Sequence, residues 1–230
     1  MHRTLVIVGA GPGLGMGVAR AFGKRGYRVG LIARDAERLA ASVGELGGLG
    51  ITAAARPADV ADHSALAGAL DGLRGELGEI DVLEYSPGPQ GAPITSAAET
   101  TPESAAAQFA LSTLGGVAAV GHVLPAMLRR GSGTLLLTTG VSSKVPAPFL
   151  GNVGLAMAGL RNWARALHLE LAPKGVHAAA VVIATGITAD NADEIGERYA
   201  ELAERPDRAE EVIGDVAAFE ELVRSAAAVR

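Results

Sequence analysis

Five glycines fall within ten residues at Val8 to Gly17, "VGAGPGLGMG", directly after the strand-like run "TLVIV". Backbone this rich in glycine, set between a first strand and a first helix, lets another group come very close to the main chain at the positive end of a helix dipole. A phosphate suits such a turn, because free N–H groups point at it and a side chain would block its approach. The spacing narrows the reading further. Leu14, Met16 and Val18 occupy the third-glycine position of G-x-G-x-x-G for the starts at Gly9, Gly11 and Gly13, so the pattern that fits is G-x-x-x-G-x-G over Gly9, Gly13 and Gly15.

Downstream, short β-branched runs alternate with Ala-rich helical stretches. "YRVGLIA" precedes a helix over Asp35 to Leu46, "ITAAARPADV" a helix over Asp62 to Leu77, and "IDVLEYS" a long helix from about Pro102 to Arg129. "GTLLLTT", a helix from about Phe149 to Leu171 and "VHAAAVVIA" continue the rhythm. Repeated βαβ units with continuously apolar strands predict an α/β fold, a Rossmann-type doubly wound parallel sheet of six to seven strands with helices on both faces. No linker divides the chain, so residues 1–230 read as one domain. A variable lid or tail begins at about residue 186, with a helix near Glu194 to Glu204, "RAEEVI" as the only candidate for a seventh strand, and a last helix.

Charge and composition exclude several function classes. With a net charge of -5 and scattered Lys and Arg, the chain has no electrostatic footprint for nucleic acid or anionic lipid. The absence of cysteine removes disulfides and thiolate chemistry, and the five histidines show no metal-ligand spacing, so no metal is expected. The first apolar run, Leu5 to Val8, is too short for an export signal, and no later run is expected to cross a bilayer. A soluble cytoplasmic protein acting on a small molecule is the expectation.

The end of the second strand speaks to the nucleotide. A site preferring NAD places a carboxylate there for the ribose hydroxyls, whereas this chain has Ala33 followed by Arg34. A guanidinium pairs with a 2′-phosphate, so NADPH is favoured over NADH.

"VGAGPGLG", "ARDAERL", "ADV" at Ala58 to Val60, "IDVLEYSPG", "LPAML" and "ALHLELAPKGV" together resemble the short-chain dehydrogenase/reductase family from residue 3 to about 188. The resemblance implies that Gly9, Gly13, Leu14 and Gly15 hold the dinucleotide. It implies that Asp59 and Val60 meet the adenine, that Ser86 borders the ribose and nicotinamide, and that Thr188 also contacts the cofactor. It further implies a homodimer or higher homo-oligomer through the two long helices, with Trp163 and Leu167 in a core or interface stripe.

The family's acid is a Tyr four residues before a Lys. Here Tyr27, Tyr85 and Tyr199 and Lys24, Lys144 and Lys174 supply no such pair. In the register set by Gly133 and Glu170, the family's Ser falls on Gly140, its Tyr on Val153, its Lys on Met157 and its helix Asn on Ser112. Tyr85, at the end of the fourth strand, and Ser142 are the candidate replacements, with Thr138, Thr139, Ser143 and Lys144 nearby. The expected function is hydride transfer between NADP(H) and a pre-activated small substrate such as an iminium ion or enone, which needs little protonation from the protein. A non-catalytic NADP(H)-binding partner or sensor, and a non-redox cyclase or isomerase using an apolar cavity at Val153 and Met157, are the alternatives.

Overall fold

Each β-branched run forms a strand in the computed structural model, which describes residues 2–228. The strands are β1 (Thr4–Val8), β2 (Arg28–Ala33), β3 (Ala53–Pro57), β4 (Ile80–Tyr85), β5 (Gly133–Gly140), β6 (Val176–Ala184) and β7 (Glu210–Gly214). All pair in parallel, in the order β3-β2-β1-β4-β5-β6-β7. The seventh strand is thus the "RAEEVI" segment, placed at the sheet edge.

Helices cover both faces, as continuously apolar parallel strands require. α1 (Leu14–Lys24), α2 (Ala36–Gly48) and α7 (Ala192–Glu204) enclose one core with Leu5, Ile7, Val82 and Leu136. α3 (His63–Leu77), α5 (Gly115–Arg130) and α6 (Gly151–Leu171) enclose the other with Val6, Val8, Leu83 and Leu135. Leu167 is buried in this second core and Trp163 packs at its edge. Side chains alternate along a strand, so residue parity decides which core each one enters. The Asp35 and Asp62 carboxylates cap α2 and α3, accepting from the amides of Arg38 and Ala65 at 3.0 and 2.9 Å. α1 and α7 pack at backbone distance. A Cβ on Gly17 would run into the Ala192 carbonyl, and one on Gly196 into the Gly17 carbonyl.

Two features depart from the sequence expectation. The long second-half helix is helical from Pro102 to Arg130, but α4 (Pro102–Gln108) joins α5 through a widened π-helical turn, Phe109–Leu114. This helix is also long and apolar enough to cross a membrane by length and composition, with mean hydropathy 1.5 over an 18-residue window, contrary to the expectation that no run would qualify. Its apolarity has a second use in the fold, since Val120, Val123 and Met127 are buried against the sheet. α8 (Val216–Ala228) follows β7.

Candidate active site

Strand order reverses between β1 and β4, and loops leaving the carboxyl ends of strands at such a switch diverge and open a crevice. Gly9, just past β1, has φ of +99°, and a Cβ there would lie 2.5 Å from the Pro87 nitrogen beyond β4. Only glycine lets the two loops meet this closely. Gly15 packs on the Ala10 backbone, where a Cβ would come within 2.9 Å. No side chain caps the start of α1 and no acidic residue stands in its first turn, so the helix end remains open to an anion.

Two cavities, of about 560 and 530 Å³, share Gly9, Gly11, Pro87 and Gly88 and so form one groove across the switch point. The first is lined by Arg34, Arg38, Asp59 and Val60. Arg34 makes no ion pair among the described residues, whereas Arg38 pairs with Asp35 at 3.1 Å. The second is lined by Thr138, Gly140, Ser142, Val153, Met157 and Ile187. Met157 closes on the strand end by accepting the Gly140 amide on its sulfur at 3.0 Å. The Ser142 hydroxyl is buried without a hydrogen-bond partner among the described residues, a group that a ligand in this cavity can satisfy.

Beneath the second cavity lies a buried acid. Glu84 on β4 is fully enclosed, its two carboxyl oxygens accepting from Ser86 Oγ and Thr138 Oγ1, each at 2.8 Å. Thr138 Oγ1 also lies 2.8 Å from the phenol oxygen of Tyr199 on α7. Burial pushes the Glu84 carboxyl up to about 8, against the smaller opposing effect of the Thr138 and Ser86 hydroxyls. Tyr199 is itself driven well above its ordinary range by desolvation, with the Glu84 charge adding to it.

A model of short chain dehydrogenases matches residues 3–200. The chain belongs to the short chain dehydrogenase family. Among its relatives in this family, the "Ketoacyl reductase HetN" of Nostoc sp. is 30% identical over 193 residues, covering 82% of this chain and 66% of its own length. A metagenomic short-chain oxidoreductase solved in complex with NADP superposes with a TM-score of 0.79 over 92% of this chain and 96% of its own, at 24% identity. A short chain oxidoreductase from Pseudomonas aeruginosa PAO1, described as containing an atypical catalytic center, has a TM-score of 0.72 and 25% identity over 79% of this chain and 69% of its own. The short-chain dehydrogenase fold binds a nicotinamide cofactor, and the groove at the switch point is where this chain can hold one.

Of the residues singled out in the sequence, the structure brings Gly9, Arg34, Asp59 and Val60 to the first cavity. It brings Gly13, Leu14, Gly15, Ser86 and Ser142 to the second, together with the Gly140, Val153 and Met157 positions. Tyr85 is a correction. Leu83 and Tyr85 of β4 face the α3/α5 core, so the Tyr85 ring is buried, lining neither cavity, and its hydroxyl donates to the Leu111 carbonyl of the π-helical turn at 2.5 Å. Burial and the Asp59 charge hold this phenol well above its ordinary range. Thr188 is a second correction. It is exposed outside both cavities, its amide donating to Asn191 Oδ1 at 2.8 Å, and the neighbouring Ile187 reaches the groove instead. Ser112 lies in the π-helical turn, buried, with its hydroxyl unpartnered. Lys144 is held at 2.7 Å by Glu210, outside the groove. Sequence reasoning missed Glu84 and Arg38. The signal for Glu84 was a lone carboxylate inside the apolar run "IDVLEYS".

Proposed function

We propose that this chain is an NADP(H)-dependent reductase of small, already electrophilic substrates such as enones or iminium ions, working without the family's Tyr and Lys acid pair. One observation carries the reading: a nucleotide groove flanked by Arg34 runs directly into a second cavity walled by Gly140, Val153 and Met157. The residues fit the cofactor. The glycine cradle is one that side chains would fill, the α1 amides suit its pyrophosphate, and Arg34, which has no carboxylate partner among the described residues, suits a 2′-phosphate. Bound there in reduced form, the nucleotide supplies hydride. Gly140, Val153 and Met157, in the positions that the resemblance assigns to Ser, Tyr and Lys, contribute no hydroxyl, phenol or ammonium, so the substrate must arrive electrophilic. The unpartnered Ser142 hydroxyl offers it one hydrogen bond. Exposed Leu114, Val117 and Leu155 on the two long helices support assembly as a homodimer.

The test is NADPH oxidation with panels of enones, quinones and cyclic imines. Turnover with at least one class is expected. Nucleotide binding without turnover of any class would favour the non-catalytic reading instead, which the apolar wall at Val153 and Met157 also suits.

A further inference from the structure

Glu84 lies on a strand between Ile7 of β1 and Leu136 of β5, against the apolar core under α1 and α7, where a carboxyl taken out of water is costly. What distinguishes it is the pair of hydroxyls on its oxygens. Ser86 and Thr138 both bond Glu84 and both line the second cavity. We propose that Glu84 and Ser86 form the proton-delivery route of this site, with Ser86 passing the Glu84 proton to a substrate in the cavity, and that the substrate is accordingly a conjugated carbonyl compound. This rests on the reductase reading above.

Hydrogen counting allows this direction. With Thr138 donating its one hydrogen to Glu84 Oε1 and accepting from Tyr199, one of the two donor assignments open to that 2.8 Å contact, Oε1 has no acceptor for a proton of its own. A neutral Glu84 therefore carries its proton on Oε2 and donates it to Ser86 Oγ, freeing the Ser86 hydrogen to turn into the cavity. Tyr199 is the titratable group that α7 brings to this cluster. No charged side chain of β1, β5 or α1 contributes to the environment of the carboxyl.

An iminium ion that accepts hydride becomes a neutral amine and needs no proton. An enone that accepts hydride at its β-carbon becomes an enolate and does. The Ser86 O–H bond breaks as its hydrogen bonds to the enolate, the Glu84 O–H proton passes to the Ser86 oxygen, and Glu84 is left as a carboxylate. Water in the groove returns the proton by the same path.

The first test needs no turnover. In the infrared spectrum at neutral pH, a carboxylic acid C=O band absent from Glu84→Gln is expected, and in D₂O it should shift within the mixing time. Ser86→Ala should lose that fast exchange. An acid band that exchanges equally fast in Ser86→Ala, or no band assignable to Glu84, would overturn the route. The second test is enone reduction. Glu84→Gln is expected to lower kcat by about 10²–10⁴-fold, with NADPH affinity retained, and to abolish a fall in rate as pH rises through about 8. Wild-type turnover undiminished in a folded Glu84→Gln overturns the proposal while the reductase reading stands. Nucleotide binding with no turnover of any substrate by the wild type overturns the reading beneath it.

Discussion

The buried carboxyl on β4 gives the folded protein a pH dependence that can be worked out from the structure. Glu84 is pushed from an ordinary 4.5 up to about 8 by burial, so between those values the folded chain holds a proton that the unfolded chain has released. Stability falls as pH rises wherever the folded state binds more protons. The contribution is therefore fully present below about 4.5, is lost progressively up to about 8, and changes no further above that. At about 1.4 kcal/mol per pH unit, the interval amounts to on the order of 5 kcal/mol. Glu84→Gln keeps the shape and stays neutral throughout, so it isolates this effect from every other titrating group. Urea unfolding of both proteins at pH 5, 7 and 9 reads the difference directly. The variant should match or trail the wild type at pH 5 and overtake it steadily, gaining several kcal/mol by pH 9. A difference that stayed constant across the range would show that Glu84 is ionised in the fold, and would refute the account of its burial.

Three further outcomes follow from named contacts. Arg34→Glu removes the partner of a 2′-phosphate and adds a repulsive charge, so NADPH affinity should drop by about 10–100-fold with NADH much less affected, as measured by fluorescence titration. Gly17→Ala drives a methyl into the Ala192 carbonyl, which α7 cannot avoid without shifting, and should cost about 1–3 kcal/mol with a lowered Tm by calorimetry. Tyr85→Phe leaves the Leu111 carbonyl without its donor and should cost about 1–3 kcal/mol in urea unfolding. Its kcat should be unchanged, because the phenol is buried on the Leu111 carbonyl and lines neither cavity.

The alternation of β-branched and Ala-rich segments made the sheet legible, and the segment after Arg208 became β7 as its pattern indicated. The glycine turn was legible because its chemistry is local: positive φ and close backbone approach leave a direct mark on residue choice. Tyr85 and Glu84 show what was not. They are neighbours on one strand, and the polar tip of Tyr85 drew attention to it. Which of the two approaches the groove depends on β4 turning Glu84 toward α1 and α7 and Tyr85 toward α3 and α5, a fact of tertiary structure that no local pattern records. The π-helical turn whose carbonyl receives Tyr85 has no sequence signature either. Thr188 failed for a similar reason, since the Asn191 side chain turns the loop and brings Ile187 to the groove. Arg38 was obscured by its place on a helix, one turn beyond the Asp35 cap that brings it beside Arg34 at the cavity.

Calorimetric titration of the wild-type protein with NADPH and, separately, NADH tests most directly whether the glycine turn and Arg34 hold a phosphorylated nicotinamide nucleotide. Saturable binding of both is expected, with NADPH tighter by about tenfold or more, the worth of one charge-assisted hydrogen-bonded pair. Heat of dilution alone for both nucleotides at millimolar concentration, or NADH bound as tightly as NADPH, would contradict it.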